Sequence, residues 1–196
     1  VIETALAQSP RAIQYVDNPS DELLISLVKQ DWAVLEYIQH PSDDVVRIAL
    51  DQSGWAIRYI TNPSEELQLR AVETQYDGLQ YIANPSERVQ MAAVKSNYLS
   101  LRYIQNPTLD ILKAAVLQDP QAMRQITNLD LDTVVELLKV STLILGYVPK
   151  QIGLTVDMVR QIITEMIANP AVEDRYVREI LSNPAIGGRQ STWPID

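Results

Sequence analysis

The pattern of apolar and polar positions along this chain recurs every 22 residues. An Asn-Pro pair, or a close variant of it, opens each unit, and the same order of cap, acidic, apolar and breaker residues follows. The pairs are Asn18-Pro19, His40-Pro41, Asn62-Pro63, Asn84-Pro85, Asn106-Pro107 and Asn128-Leu129. Self-similarity at a fixed short period is typical of repeat architectures, so we describe the chain by repeat position, with the Asn as position 1.

The first part of each unit predicts an α-helix. Position 3 carries a side-chain oxygen that can accept from the free N–H groups of a helix start. Acidic residues follow in the first turn, where they favour the positive end of the helix. Apolar residues at positions 6, 10 and 11 form one helical face, and the alanine at position 10 lets neighbouring helices approach closely. The predicted caps are Ser20, Ser42, Ser64, Ser86, Thr108 and Asp130, and the alanines are Ala49, Ala71, Ala93 and Ala115.

The second part of each unit predicts a shorter helix. Breaker residues such as Ser53-Gly54 end the first helix, and apolar residues follow at positions 18 and 21, as in Leu35 and Ile38. This i, i+3 step suits one or two turns of α- or 3₁₀-helix. A single unit of this size cannot bury its own apolar face, whereas stacked units can. We therefore predict an all-α fold, a right-handed α-solenoid of about seven helix–short-helix repeats with a helical C-terminal cap.

The pattern divides the chain into two predicted parts. Residues 1–149 form the repeat array, with a partial first copy, and residues 150–196 form a helical cap with an irregular tail from Gly187 onward. Within the cap, Thr155 is expected to begin an amphipathic helix, and a last helix should lie near residues 172–181. Arg175, Arg178 and Glu179 would give that last helix the polar outer face that a terminal repeat needs. The start within a repeat, at Val1, favours a piece of a longer protein.

Composition narrows the possible functions. The net charge is -9 and the pI is about 4.6, so nucleic acid and membranes are poor partners. Cysteine is absent, which excludes thiolate chemistry and Cys-ligated metals. No stretch of apolar residues is long enough to cross a membrane. The chain has six Gly and none of the phosphate-loop, dinucleotide, zinc-protease or nucleophile-elbow motifs. We predict no catalytic residues, metal or cofactor, and a cytoplasmic location, in the host cell if the protein is viral.

The repeated segments resemble two known groups of repeats. Residues 62–83, NPSEELQLRAVETQYDGLQYIA, are similar to units of the leucine-rich repeat variant family, in which an α-helix pairs with a 3₁₀-helix. They also resemble short repeats of bacterial and viral proteins of unknown function, with units like VxLAAVKxNGxALxYA. The resemblance covers residues 1–149 and implies a helical repeat of phage or bacterial origin. An iron–sulfur centre, as the first family's prototype carries, is not implied because this chain has no Cys.

The aromatic residues of the second helix are candidate binding residues. Position 20 is tyrosine in most units, so the rings should lie along one side of the short helices. Large, stiff, amphipathic rings make good protein-binding surfaces, although they would also serve to pack half-buried between neighbouring units. Trp32 and Trp55 fall in the predicted turn between the two helices, as a contact patch or as a lid over the end of the core. The tyrosines are Tyr15, Tyr37, Tyr59, Tyr81, Tyr103 and Tyr147.

The acidic residues at positions 4 and 5 are a second candidate surface. Glu65, Glu66 and Glu87 belong to a row that could bind a basic partner or mimic a nucleic acid backbone. The alternative is a structural role at the positive helix ends. His40, the only histidine, occupies an Asn position and is expected to replace the loop bonds of that Asn.

These features lead to a predicted function class. We expect a non-catalytic protein–protein interaction module whose partner is another protein with a basic surface, without direct contact to nucleic acid or membrane. A sharper version is an acidic phage or bacterial inhibitor of a nucleic-acid-binding or defence protein. The alternative is a structural repeat domain of a longer protein. A helical-repeat enzyme acting on nucleic acid is disfavoured, because it would need a basic groove.

Overall fold

The computed structural model describes residues 2–187 and confirms an all-α fold, with 73% helix and no strand among those residues. Successive helices pack in the repeat pattern of an α-solenoid. The α-helices are α1 (Ile2–Gln8), α2 (Asp21–Gln30), α3 (Asp43–Gln52), α4 (Glu65–Thr74), α5 (Glu87–Ser96), α6 (Leu109–Gln118), α7 (Leu131–Leu138), α8 (Val156–Ala168), α9 (Asp174–Ser182) and α10 (Pro184–Gly187). The 3₁₀-helices are η1 (Pro10–Tyr15), η2 (Trp32–Tyr37), η3 (Gly54–Tyr59), η4 (Tyr76–Tyr81), η5 (Tyr98–Tyr103), η6 (Pro120–Gln125), η7 (Thr142–Tyr147) and η8 (Lys150–Ile152).

The chain forms two compact units, residues 1–96 and residues 97–196. In the first, α2, α3, α4 and α5 pack each on the next, and η1 to η4 do the same. In the second, α6 packs on α7, α7 on α8, and η5, η6 and η7 follow one another. The predicted boundary between residues 149 and 150 and the right hand of the solenoid stay predictions.

The predicted N-caps are confirmed, and they explain where the helices begin. The Ser20, Ser42 and Ser64 side chains accept from the backbone N–H three residues ahead, at Leu23, Val45 and Leu67. Thr108 and Asp130 do the same for α6 and α7. The pKa of the Asp130 carboxyl is lowered below its ordinary value by Thr133, first through the Thr133 side chain and then through the Thr133 backbone N–H. Each cap satisfies an N–H group that the helix itself leaves open.

The Asn at position 1 has the backbone role that its side chain permits. Asn18, Asn62 and Asn84 have φ of 49°, 52° and 52° and are the non-glycine residues with positive φ within residues 2–187. Asn tolerates this left-handed region better than other non-glycine residues. His40 occupies the same repeat position without a positive φ, as do Asn106 and Asn128, so the left-handed conformation is not shared by every copy.

Small side chains allow neighbouring helices to pack closely at two repeat positions, 10 and 17. The sequence analysis predicted only position 10. Ala49, Ala71, Ala93 and Ala115 at position 10 are all fully buried, as predicted. Position 17, in the short helix, is buried as well, and its small residues were not recognised in the sequence. These are Ala56, Gly78, Ser100 and Ala122, beside the larger Val34 and Ile144. A β-carbon on Gly78 would stand only 3.2 Å from the carbonyl oxygen of Gly54 in the neighbouring short helix.

The C-terminal helices follow the predicted order but not the predicted orientation of side chains. Thr155 caps α8, and α9 lies where the last helix was expected; α10 was not anticipated. Glu179 is only 8% exposed and accepts from Ser141 Oγ at 2.8 Å and from the Thr142 N–H at 3.1 Å. Arg175 bonds inward to Glu179 and to the Val140 carbonyl oxygen. The outer position predicted for Glu179 was therefore wrong, whereas Arg175 and Arg178 are exposed as predicted.

The buried contacts of α9 reproduce a bond made between consecutive repeats in the first unit. There, Gln75 Oε1 accepts from Ser53 Oγ at 2.6 Å and lies 3.4 Å from the Trp55 N–H of the preceding repeat. Ser141 occupies the repeat position of Ser53, and Glu179 supplies the acceptor that a following repeat would supply. The Tyr176 hydroxyl donates to the Leu138 carbonyl oxygen at 2.9 Å, and Asn183 Nδ2 donates to that of Thr142 at 2.8 Å. α9 thus completes the last short helix. The tail from Gly188 onward lies outside the described residues.

Candidate functional site: the aromatic face of the short helices

The tyrosines at position 20 lie at the same end of successive short helices. Tyr15, Tyr37, Tyr59 and Tyr81 are the last residues of η1, η2, η3 and η4 in the first unit. Because these helices pack side by side, the rings form the predicted row. Tyr15 is 82% and Tyr81 38% exposed, while Tyr37 and Tyr59 are half-buried. The row therefore presents ring surface to solvent and is not closed over by the repeats themselves.

Arg58 joins three rings of this face into one cluster. Its guanidinium carbon lies 4.9 Å from the centre of the Tyr59 ring, 5.6 Å from that of Trp32 and 5.8 Å from that of Tyr81. Cation–π attraction operates over such distances. Arg58 Nη2 also donates to the Tyr59 hydroxyl oxygen at 2.9 Å. We call Trp32, Arg58, Tyr59 and Tyr81 the aromatic–arginine cluster.

The cluster combines residues from three consecutive repeats. Trp32 begins η2, Arg58 and Tyr59 end η3, and Tyr81 ends η4. The Trp32 and Tyr59 ring centres are 6.3 Å apart with the planes tilted by 36°, within the range of favourable aromatic pairs. The hydrogen bond to Tyr59, with the nearby Tyr81 hydroxyl adding to it, raises the pKa of Arg58 above its ordinary value. The guanidinium is therefore a permanent positive charge on this surface.

Trp55 belongs to a different contact. Its indole Nε1 donates to Asp77 Oδ1 at 2.8 Å, a bond from one repeat to the next, and its side chain is 37% exposed. Trp32 and Trp55 were both expected in the turn between helices. That placement was wrong, because both lie inside the short helices η2 and η3. Trp32 thus belongs to the aromatic–arginine cluster, whereas Trp55 links two consecutive repeats.

Arginine contacts on tyrosine recur in both units and were not recognised in the sequence. In the first unit, the Arg11 guanidinium lies 5.5 Å from the Tyr37 ring. In the second, Arg102 lies 5.9 Å from the Tyr103 ring, and Arg124 lies 5.1 Å from the Tyr147 ring. The available signal was the arginine at repeat position 19, beside the tyrosine. It is present at Arg58, Arg102 and Arg124.

The acidic residues proposed for binding are held by neighbouring repeats. Glu65 accepts from Ser86 Oγ at 2.5 Å and from Arg88 Nη1 at 3.1 Å. The Ser86 bond first, with Arg88 adding to it, lowers the pKa of Glu65. Glu66 lies 3.5 Å from Arg47, and Glu87 begins α5. Glu65 and Glu66 therefore have structural partners, so this row offers less free charge than the sequence suggests.

The inter-repeat bond to Glu65 leads to a testable difference between two caps. Ser64→Ala removes only the N-cap bond to Leu67 and is expected to cost about 1 kcal/mol. Ser86→Ala removes both a cap bond and the bond to Glu65, so it should cost more at neutral pH. Urea unfolding of both variants measures the difference.

The excess cost of Ser86→Ala has a defined pH dependence. Since the folded pKa of Glu65 is lowered from 4.5, its contribution is present above that value and is lost as pH falls through the lowered pKa. The two variants should therefore converge in strong acid. Equal costs for both variants at neutral pH would contradict a structural role for this acid.

A cleft of about 620 Å³ borders the tyrosine row in the first unit. Its lining is mainly polar and includes Asp17, Asp21 and His40, with Leu24 and Tyr37 among the residues that add apolar surface. A concave surface with polar groups beside apolar ones can accept a polar side chain of a partner. This side of the first unit therefore has a concave surface next to the exposed rings.

Metal sites and membrane spans are two site types for which the described helices give no support. Among the side chains that the structure describes, in residues 4–186, no group of three or more His, Asp or Glu is placed to hold a metal ion. No helix in the same range has the length and apolar character to cross a bilayer. In comparisons with protein-family models, curated proteins and solved structures, nothing matches this chain.

Proposed function

We propose that this chain is a non-catalytic protein-binding module whose contact surface is the aromatic face of its short helices. The observation that carries the proposal is the aromatic–arginine cluster, in which three rings and one guanidinium from three repeats are gathered at solvent. Tryptophan, tyrosine and arginine are the residues that contribute most often to protein-binding energy. Because the rings are already ordered by Arg58, binding would cost little side-chain entropy.

Two further observations support this face over the acidic row. The cleft beside Tyr37 offers a concave site adjoining the row. Glu65 and Glu66, in contrast, already have hydroxyl and guanidinium partners within the chain. A new basic partner would have to compete with those contacts, so we assign the binding surface to the short helices.

The finer predictions from the sequence keep their status as proposals. An acidic inhibitor of phage or bacterial origin, a structural domain of a longer protein, the resemblance to leucine-rich repeat variants, and a cytoplasmic location all fit a helical repeat. A basic partner also stays a prediction. We place the protein-binding function first because a specific cluster of side chains supports it.

The double variant Trp32→Ala/Tyr59→Ala is expected to weaken partner capture strongly. The purified full chain serves as bait in a lysate of the organism that encodes it. The double variant should capture at least about tenfold less of the partner than the wild type does. The reason is that each lost aromatic side chain contributes roughly 1 to 2 kcal/mol to binding. Quantitative mass spectrometry of the captured proteins measures the ratio. Circular dichroism verifies that the variant keeps its helix content.

Two control baits make this result specific. Leu117→Ala removes a large exposed apolar side chain from α6, outside the aromatic face, and should leave capture unchanged. Glu66→Lys reverses one acid of the row. Loss of the partner with Glu66→Lys and its retention by the double variant would assign binding to the acids instead. A wild-type bait that captures nothing above a blank resin would reject the binding function itself.

A further inference from the structure

We propose that the aromatic–arginine cluster binds a carboxylate of an acidic peptide segment in the partner. This inference deepens the protein-binding proposal and rests on it. It assigns the chemistry of the partner at one place, Arg58, where the sequence predicted a basic partner for the chain as a whole.

Arg58 differs from the arginines of the long helices in the first unit, which have carboxylate partners. The arginines of the long helices are matched with carboxylates: Arg47 with Asp44 at 3.0 Å, Arg70 with Asp51 at 2.5 Å. Arg88 is matched with Glu65 at 3.1 Å. Among the side chains described in residues 4–186, no carboxylate oxygen lies within 4.0 Å of an Arg58 nitrogen. Arg58 is therefore a charge that tyrosine and tryptophan rings hold in place but do not neutralise.

The guanidinium of Arg58 has a geometry that suits a carboxylate. A guanidinium has five N–H groups in a planar fork that matches a carboxylate in a bidentate pair. Arg58 Nη2 uses one of them for the Tyr59 hydroxyl, and the side chain is exposed. Rings within 6 Å fix the plane of the fork, so a carboxylate at its edge would meet a preorganised partner.

The net charge of the chain favours a short acidic peptide over an extended polyanion as the ligand. A chain with net charge -9 repels an extended polyanion, and one arginine cannot offset a row of phosphates. A peptide with one or two carboxylates is opposed much less. The rings beside Arg58 would at the same time contact the apolar side chains of such a peptide. A short acidic segment of a protein therefore suits this cluster better than a nucleic acid.

Fluorescence anisotropy with a pair of matched peptides tests the inference. The probe is a short labelled peptide with two adjacent glutamates in a Leu, Ser and Gly background, and its twin carries glutamine at both sites. Wild-type full chain should bind the glutamate peptide about tenfold more tightly than the twin, and less tightly as salt is raised. A change in tryptophan emission on binding, to which Trp32 beside Arg58 contributes, provides a second, unlabelled readout.

Variants with equal changes of charge identify the residue responsible. Arg58→Ala should weaken binding of the glutamate peptide about tenfold, and Arg58→Lys less, because lysine keeps the charge but lacks the planar fork. Arg88→Ala removes the same charge from an arginine already paired with Glu65 and should change affinity less than about twofold.

Three outcomes would overturn the inference. These are equal binding of the two peptides, equal losses for Arg58→Ala and Arg88→Ala, and tighter binding of a lysine-containing peptide by Arg58→Ala, which would identify the rings as a site for a partner's cation. If the lysate partner is nevertheless lost with Trp32→Ala/Tyr59→Ala, the protein-binding function stands and only its acidic partner is rejected.

Discussion

Gly54→Ala is expected to destabilise the first unit by about 3 kcal/mol or more, among the largest effects of a single added methyl group in this chain. A β-carbon at Gly54 would stand 2.1 Å from the carbonyl oxygen of Ala71 and 3.0 Å from the backbone nitrogen of Gln75. Both atoms belong to the backbone at the end of α4, where the Gln75 N–H donates to the Ala71 oxygen at 2.9 Å. Neither can move without opening that helix end.

The consequence of Gly54→Ala reaches the candidate site. Displacing η3 from α4 would also shift Arg58 and Tyr59, which lie at the other end of η3. We expect the melting temperature to fall by about 6 to 12 °C, from the usual relation between stability and melting temperature in a chain of this length. Thermal unfolding by circular dichroism measures the fall, and the tryptophan emission, to which Trp32 and Trp55 contribute, reports the local shift.

Gly146→Ala is the matched control. Gly146 lies in η7, near the end of a short helix of the same type, but a β-carbon there meets nothing within 4 Å. Alanine reduces the freedom of the unfolded chain, so this substitution should be neutral or raise stability by up to about 1 kcal/mol. A loss of stability as large as that of Gly54→Ala would show that the close backbone approach is not the cause.

Glu179→Ala is expected to cost about 2 to 4 kcal/mol in the second unit. It would leave the buried Ser141 hydroxyl and Thr142 N–H without their acceptor and Arg175 without its nearest partner. Since Arg175 is 42% exposed, water would offset most of its loss, and the cost would come chiefly from the first two groups. Urea unfolding measures the change, and hydrogen exchange should show early opening of α9 and η7.

Glu179→Gln separates the acceptor from the charge. Gln75 performs the equivalent role with an amide oxygen, accepting from Ser53 at 2.6 Å. Glutamine at 179 should therefore cost less than about 1 kcal/mol, because the bonds to Ser141 and Thr142 persist. If Glu179→Gln is as costly as Glu179→Ala, the Arg175 ion pair, and not the capping bond, holds the last helix.

The candidate site could be predicted only in part. The tyrosine row followed from the sequence, because position 20 repeats and equivalent positions of packed repeats share a face. The residue that turns Tyr59, Tyr81 and Trp32 into a cluster, Arg58, was missed. An exposed arginine has the same composition signal whether it pairs with a carboxylate or with rings, and only the positions of its neighbours distinguish the two.

The acids show the same limit from the opposite side. Glu65 was predicted correctly at a helix start, where a carboxylate is favourable. Its bond to Ser86 joins residues 21 positions apart and depends on the offset between two helices, which the repeat period alone does not specify. The binding role of Glu65 and Glu66 stays a prediction, although both have partners within the chain.

By itself, the sequence determined the repeat, the all-α class and the starts of the helices. These depend on interactions within one or two turns, such as Ser64 with Leu67, and on apolar residues spaced for one helix face. Only the tertiary structure decided which polar side chains meet: Arg58 with rings of two other repeats, and Glu179 with Ser141, 38 residues away. Such pairs depend on distances and angles between helices, which arise only when the units pack.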